Sequence, residues 1–471
     1  MMAGVAVFGV EWKELARTED WEVHLQRAAE LTREQKFAEA GPLYAVLAEA
    51  AERHSFPLLL KAKCANNYGT MLHLSGQFAA AETQYKEAAT AWARSAGEAS
   101  DEHTTTLNNL GEVYRQLGKY AEAEGAFRKA IAAREAIGNR DQLRLASALN
   151  NLGSLQAQTA PKPETAALFE RALRIKREVL GAEHPEVATT LNNLGSLRQN
   201  NGDDAGAERL YREAMAIREK QTPADRPALA AVLNNLGGLL RKTDRLEEAE
   251  RVLQRANQLW EESLGKDHPT LASGLGNLGE LLMAADRIAE AEPLMRRAVA
   301  IQEAKLGADH ALTATTVDNL GVLFLRQGKA TGAETLFRKA LAARRTKLGP
   351  AAKLTVATMH HLAQSLTVQG RYTEAERVAA EELEILERAG GAGVERGYAL
   401  TELAVIQMAQ RRWEAGEKYL EELRGMAAEL RPEQRATVGE LASAYAQMLR
   451  TEKKKRDAER VEGLARGFLG R

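Results

Sequence analysis

The chain has 471 residues with 64 Lys plus Arg against 65 Asp plus Glu, and its formal net charge of -1 gives no global field to recruit nucleic acid or an anionic membrane. Charged residues make up 27% and aromatics 5%, a composition rich in alanine, leucine, glutamate and arginine that suits long helices and leaves strand signals nearly absent. A single cysteine, Cys64, excludes an internal disulfide and a cysteine-rich zinc module, so a reducing compartment, the cytoplasm, is the expected location.

In chain order, Met1 to Val10 is apolar, but it has no basic flank, is followed by Glu11 and is too short to span a bilayer. Residues 1–20 therefore read as an N-terminal segment without an export signal. Residues 21–60 carry a degenerate first repeat: Ala28 holds a small slot, and Phe37, Ala40 and Tyr44 have the spacing of Tyr120, Ala123 and Phe127. A terminal unit has one face without a neighbour and is expected to depart from the pattern.

From about residue 62 glycine is the ruler. Gly69, Gly111, Gly153, Gly195, Gly237, Gly279 and Gly321 are each 42 residues from the next, and Ala363 holds the following slot. Within one unit, Leu107, Leu110, Gly111 and Tyr114 fall at i, i+3, i+4 and i+7, the apolar stripe of a first helix. Gly118 ends that helix, and Tyr120, Ala123, Phe127, Ala130 and Ile131 give the stripe of a second. Each unit is thus a helical hairpin. Small residues recur in the second helices at Ala81, Ala123, Ala207, Ala249, Ala291, Ala333 and Ala375, with Thr165 alone out of place. Ala88, Ala130, Ala172, Ala214, Ala256, Ala298 and Ala340 form another ladder, set against large residues such as Tyr85, Phe127, Phe169, Tyr211 and Phe337.

Pro185, Pro227 and Pro269 mark first-helix starts, where proline loses no needed hydrogen bond. Glu124 with Arg128, Glu208 with Arg212, Glu292 with Arg296 and Glu334 with Arg338 are i,i+4 pairs read as solvated stitching. Two stretches break the rhythm, Ala157 to Pro163 and Gly390-Gly391-Ala392-Gly393, and 389–397 is a candidate hinge. The most regular array covers 62–388 and the whole array 21–450, as one elongated domain. Small slots at 28, 69, 111, 153, 195, 237, 279, 321, 363, 404 and 442 count about eleven units. Residues 451–471, with Lys453-Lys454-Lys455-Arg456, read as a basic C-terminal helix completing or capping the last repeat.

The pattern L-x-x-L-G-x-x-Y followed by A-x-x-x-F resembles the tetratricopeptide signature, at a period of 42 rather than about 34 residues. The longer unit, with Asn-Asn in its first helix and loops such as Gly181-Ala182-Glu183-His184-Pro185, is similar to the repeats of kinesin light chains and their bacterial relatives. The resemblance implies an all-α, right-handed superhelical solenoid of about eleven antiparallel helical hairpins, with the first helices lining a concave groove. No long heptad segment precedes the repeats, so attachment to a motor chain is not expected.

Asn66, Asn67, Asn108, Asn109, Asn150, Asn151, Asn192, Asn193, Asn234, Asn235, Asn277 and Asn319 all fall in that lining. Asparagine is a middling helix former, so its recurrence here is not a matter of propensity. Each carboxamide offers two donors and an acceptor. By the resemblance they grip the backbone of an extended peptide; the alternative is that the second Asn of each pair joins neighbouring helices. Asn150, Asn192 and Asn234, assisted by Asn151, Asn193 and Asn235, are expected to hold the ligand beside Ser154, Ser196, Gln199 and Asn200. The cationic Arg241 and Lys242 follow, which suits a segment with an acidic residue at one end.

Chemistry is not expected. No phosphate loop, nucleophile elbow or H-E-x-x-H helix is present, and no two histidines have the spacing of a zinc pair. His184, His268 and His310 sit in separate inter-repeat loops, while His360 and His361 occupy Asn-Asn slots and read as groove lining. The expectation is a non-enzymatic scaffold or adaptor, without cofactor or metal, for a protein or extended peptide partner. The rival reading is a regulatory or architectural subunit acting through its convex face or ends, including self-association; a small-ligand or RNA role fits the near-neutral charge poorly.

Overall fold

The computed structural model describes residues 18–34, 36–53, 57–138, 141–221, 225–390 and 393–470, and the regular elements among them are twenty-two helices. The chain divides into two compact units, one up to Ala228 and one from Leu229. The first holds α1 (Thr18–Arg33), α2 (Phe37–Arg53), α3 (Leu58–Leu74), α4 (Phe78–Ser95), α5 (Asp101–Gln116), α6 (Tyr120–Ile137), α7 (Gln142–Thr159), α8 (Thr165–Leu180), α9 (Pro185–Asn200), α10 (Asp204–Glu219) and the start of α11 (Arg226–Lys242). The second holds the rest of α11, then α12 (Leu246–Leu264), α13 (Pro269–Ala284), α14 (Ile288–Leu306), α15 (Ala311–Arg326), α16 (Ala330–Leu348), α17 (Lys353–Val368) and α18 (Tyr372–Arg388). It ends with α19 (Gly393–Ala409), α20 (Trp413–Gly425), α21 (Pro432–Thr451) and α22 (Lys455–Leu469). Within each unit consecutive helices pack as antiparallel pairs and each pair stacks on the next. Of the N-terminal segment 1–20, residues 1–17 lie outside the described residues and 18–20 already belong to α1. In the candidate hinge, residues 391 and 392 lie outside them too.

The glycine ruler is a packing device. A Cβ on Gly111 would stand 2.6 Å from Phe127, on Gly195 2.8 Å from Tyr211, on Gly237 2.5 Å from Leu253 and on Gly321 2.6 Å from Phe337. In every case the intruded side chain is sixteen residues downstream, on the second helix of the same hairpin. Where Ala363 replaces glycine, the residue at that distance is Ala379, also fully buried, so a small residue faces a small one. The large residues of the second helices therefore lie over the first-helix glycine, with the Ala88 ladder buried beside them.

The hairpin turns use left-handed backbone at one recurring place. Gly76, Gly118, Gly202, Gly328 and Gly370 take positive φ there, and Asp244, Asp286, Arg411 and Lys453 are held at φ 60, 59, 58 and 63° in the equivalent turns. The irregular stretch after α7 instead has Ala160 extended, at φ -154°. The Lys162 amide donates to the Thr165 hydroxyl at 2.8 Å, and that hydroxyl donates to Gln156 Oε1 at 2.9 Å. The threonine that interrupts the alanine ladder is thus the residue that fastens the unusual turn.

Three loop histidines have a local task. His184, His268 and His310 are the N-cap residues of α9, α13 and α15, and each Nδ1 accepts from a first-turn amide, of Glu186, Thr270 and Leu312, at 3.2 Å. Acceptance at Nδ1 fixes the ring proton on Nε2. The i,i+4 pairs form as expected, but their carboxylates also reach the next hairpin. Glu124 meets Arg128 at 2.8 Å and Lys162 at 2.6 Å, and Glu334 meets Arg338 at 2.7 Å and Arg371 at 2.6 Å. Glu82, with Lys86 and Lys119, follows the same plan. The stitching therefore runs between hairpins as well as along helices.

Gly237→Leu should cost about 1 to 3 kcal/mol by driving bulk against Leu253. Hydrogen exchange should show α11 to α14 losing protection while α21 and α22 keep theirs, because repeats couple to neighbours; uniform loosening would contradict the packing described. Asp286→Gly should raise stability by up to about 1 kcal/mol, read as a higher denaturant midpoint, by relieving its left-handed backbone.

Candidate functional site

The asparagine pairs fall into two slots per first helix, and the second slot of one hairpin bonds back to the first slot of the one before. Asn151 Nδ2 donates to Asn108 Oδ1 at 3.2 Å, 43 residues away. Asn193 donates to Asn150 Oδ1 at 3.2 Å and touches Ser154 Oγ at 3.4 Å. In the second unit Asn277 donates to Asn234 Oδ1 at 2.8 Å. One step on, Gly276 offers no side chain, and Asn319 turns to Glu280 instead. At the next step Asp318 and His361 take over the two slots, with His361 Nδ1 3.2 Å from Asp318 Oδ2. The geometry of a rung survives this complete change of residue type.

At the start of the array, Asn66 Oδ1 accepts from the Thr106 hydroxyl at 2.9 Å and Asn66 Nδ2 donates to Asn67 at 3.2 Å. Asn67 and Asn109 lie within hydrogen-bonding reach of the Tyr44 and Tyr85 hydroxyls. Asn192 and Asn235 are likewise engaged. For Asn151, Asn193, Asn277 and Asn319 the structural role left open by the sequence is therefore present, and the first-slot residues Asn108, Asn150 and Asn234 share it as acceptors. Each rung uses only part of a carboxamide's capacity. Among the described residues, the Nδ2 groups of Asn108 and Asn150 meet no acceptor, so donors of fixed orientation are left over.

Arg241 pairs with Glu280 at 3.0 Å, the same carboxylate that receives Asn319. Burial pushes the Glu280 carboxyl above its ordinary range, against the pull of Arg241 and Asn319. The charge expected to meet an acidic ligand is thus partly answered within the chain at Arg241, and Lys242 is also engaged.

The periodic pattern changes most in α17 to α19. The alanine ladder that ends at Ala340 would place its next member at 382, and Glu382 stands there, 1% exposed. His360 Nε2 lies 3.1 Å from Gln364 Nε2, while His360 Nδ1 is 3.8 Å from Glu382 Oε2, too far for a hydrogen bond. Both of those facing atoms lack a partner. Glu402, also buried, accepts from the Thr367 hydroxyl at 2.6 Å. Burial, reinforced by Glu402, pushes the Glu382 carboxyl up to about 9, and burial with nearby His361 pushes His360 down to about 4. Both groups are consequently neutral at pH 7. Leaving such atoms unpaired costs about 1 to 3 kcal/mol each. Glu382 lies outside the asparagine pattern, and its signal in the sequence is an acid in a slot otherwise held by alanine.

Among the described residues no group of three or more His, Cys, Asp or Glu could hold a metal ion, and no helix is long and apolar enough to cross a membrane. Cys64 is buried, and burial pushes its thiol up to about 12.

Because Glu382 holds its proton far more tightly when folded than when unfolded, its contribution is complete below about pH 4.5 and is lost as pH rises toward 9. His360 acts in the opposite sense, losing stability as pH falls from about 6.5 toward 4. Glu382→Gln should therefore flatten the alkaline limb: its stability relative to the parent should improve by about 1 kcal/mol per pH unit between pH 6 and 8. Denaturant melts across that range provide the check, and parallel curves for the two proteins would refute it.

The tetratricopeptide repeat profile matches residues 62–136, 102–166, 144–220, 228–303 and 270–346, and a second profile of the same description matches 355–392. A comparison with the curated proteins finds no match to the sequence. Among solved structures, BtubC (BKLC) from P. vanneervenii is 22% identical over 48% of this chain and 91% of its own, with a TM-score of 0.43. The apo form of the quorum sensor NprR from B. thuringiensis is 13% identical over 78% of this chain and 99% of its own, with a TM-score of 0.56. A Rap protein complexed with Competence and Sporulation Factor is 12% identical over 79% of this chain and 99% of its own, with a TM-score of 0.51. With helical hairpins in both units, glycine-spaced from Gly69 to Gly321, and repeat profiles matching well over half its length, the chain belongs to the tetratricopeptide repeat family.

Proposed function

We propose that this protein is a non-enzymatic adaptor of the cytoplasm that binds an extended segment of a protein partner along its first-helix faces. The observation that carries the reading is that rungs fix the orientation of Asn108, Asn150 and Asn234 through their oxygens, while the Nδ2 groups of Asn108 and Asn150 meet no acceptor among the described residues. An extended backbone repeats a carbonyl and an amide at every residue, so a file of fixed carboxamides matches it whatever its side chains. Holding the donors in place beforehand lowers the ordering cost of binding. The family is in keeping with an interaction role, and the fold is shared with a quorum sensor and with a Rap protein solved with Competence and Sporulation Factor. Within the first unit the binding residues are Asn66, Asn67, Asn108, Asn109, Asn150, Asn151, Asn192 and Asn193. Within the second they are Asn234, Asn235, Asn277 and Asn319, with Arg241 and Lys242 favouring an acidic residue in the segment. Because Arg241 must share itself with Glu280, that preference contributes modestly, about 0.2 to 1 kcal/mol.

The test separates ligand donors from rung acceptors. Replacing Asn108 and Asn150 by Ala removes both functions and should cost about 0.5 to 1.5 kcal/mol of stability per rung. Asn108→Asp with Asn150→Asp keeps an acceptor for Asn151 and Asn193 but removes the Nδ2 donors. Against peptides selected by the parent protein from a displayed random library, both pairs should lose binding while the Asp pair keeps more of its stability. Undiminished binding by the Asp pair would sink the proposal and turn attention to the convex face.

A further inference from the structure

The place where the repeat departs furthest from its own pattern borders an open cavity of about 430 Å³ between α17, α18 and α19. Four slots change together there. Glu382 stands in the alanine ladder, His360 and His361 replace the asparagine pair, and Glu402 follows His361 in the second-slot series. Glu382 and His360 line the cavity, with Val356 and Val394 as apolar wall and Tyr398 at its side, the Tyr398 ring 5.5 Å from that of His360.

The hydrogen-bonding inventory restricts what can enter. The Gln364 amide nitrogen can only donate, so His360 Nε2 accepts from it and the ring proton sits on Nδ1, facing Glu382. His360 Nδ1–H and Glu382 Oε2 are both buried and without partners, 3.8 Å apart. Among the described residues no lysine or arginine pairs with Glu382, and Glu402 lies near enough to disfavour a second negative charge. The carboxyl therefore stays protonated, in agreement with its elevated pKa. At the mouth Lys353 pairs with Glu395 at 3.0 Å and Arg431 adds a further positive charge, which opposes an entering cation. An entering anion would be desolvated against the neutral Glu382 and His360, with no buried cation among the described lining residues to pair with it. A neutral group that both accepts and donates satisfies every constraint.

We propose that the cavity between α17, α18 and α19 binds the carboxamide of an asparagine or glutamine side chain from the partner segment, its oxygen accepting from His360 Nδ1–H and its nitrogen donating to Glu382. This names a side-chain preference within the peptide-binding reading above and rests on that reading only for the source of the carboxamide. The alkyl part of the side chain would lie against Val356 and Val394.

Three near-isosteric probes test the chemistry directly: propionamide, propionate and propylammonium, each titrated into the full chain with the His360 ring resonances as readout. Propionamide should shift His360 saturably, and the two charged probes should bind at least about tenfold more weakly, since a site built for paired hydrogen bonds rejects groups that mismatch them. Glu382→Gln keeps a neutral donor and acceptor and should weaken propionamide by only about two- to fivefold, whereas His360→Phe, followed through the Tyr398 resonances, should abolish saturation. Either charged probe binding as well as propionamide would overturn the proposal, as would loss of all propionamide binding in Glu382→Gln. A His360 signal unmoved by all three probes would mean that the cavity holds water only, which also overturns it. Because this readout is a small molecule at His360, its failure leaves peptide capture by the asparagine rungs standing, and failure of the displayed library leaves the cavity result standing.

Discussion

The hairpins from Gly69 to Gly321 depend on one close approach, in which a first-helix backbone without a Cβ receives a large side chain from the second helix. At Gly111 and Gly321 an added Cβ would stand 2.6 Å from a phenylalanine ring, so even alanine would require the ring or the helix that carries it to shift. The approach sets how the pair packs, and with it which side chains of the first helix remain on the surface. The asparagine slots lie three and two residues before the glycine slots in the same helices, so their placement is inherited from this contact. Ala363 and Ala379 show the same constraint met from the other side, by shrinking the partner rather than the backbone residue.

Between hairpins the joining is polar, and it has two edges. On one, carboxylates such as Glu82, Glu124 and Glu334 accept from a cation in their own helix and from another at the start of the next second helix. On the other, the carboxamide rungs join successive first helices. Hydrogen bonds of this kind contribute about 0.5 to 1.5 kcal/mol net, but they are directional and fix register where alanine contacts alone would allow sliding. A carboxamide has more hydrogen-bonding capacity than one rung consumes, so the groups that fasten the array are also able to present donors outward.

Much of this was legible in the sequence. Period, hairpin, glycine ruler and small-residue ladders follow from spacing alone, because each reports a contact that recurs unchanged. The i,i+4 pairs were visible, yet their second partners, Lys162 for Glu124 and Arg371 for Glu334, were not, because contacts across a turn have no signature within one helix. The N-cap role of His184, His268 and His310 was hidden for a similar reason: histidine is an uncommon cap, and only the backbone shows an amide aimed at Nδ1. Glu382 was the largest omission in the candidate site. Glu382 departs from a recurring series rather than forming one, and its burial follows only from the way α17, α18 and α19 assemble around it.

The rungs all join residues 43 apart, the repeat length plus one, and the hairpin contacts all fall within one repeat. Excision or duplication of a whole 42-residue block would therefore hand each surviving side chain a partner of the same kind at the same separation. Length in such a chain can change by unequal crossing-over between copies without a new interface having to be invented, whereas a loss of even one residue within a block would misalign every bond that crosses it. The part that cannot be exchanged in this way is α17 to α19, where Glu382, His360 and Glu402 stand in slots that other repeats fill with alanine and asparagine.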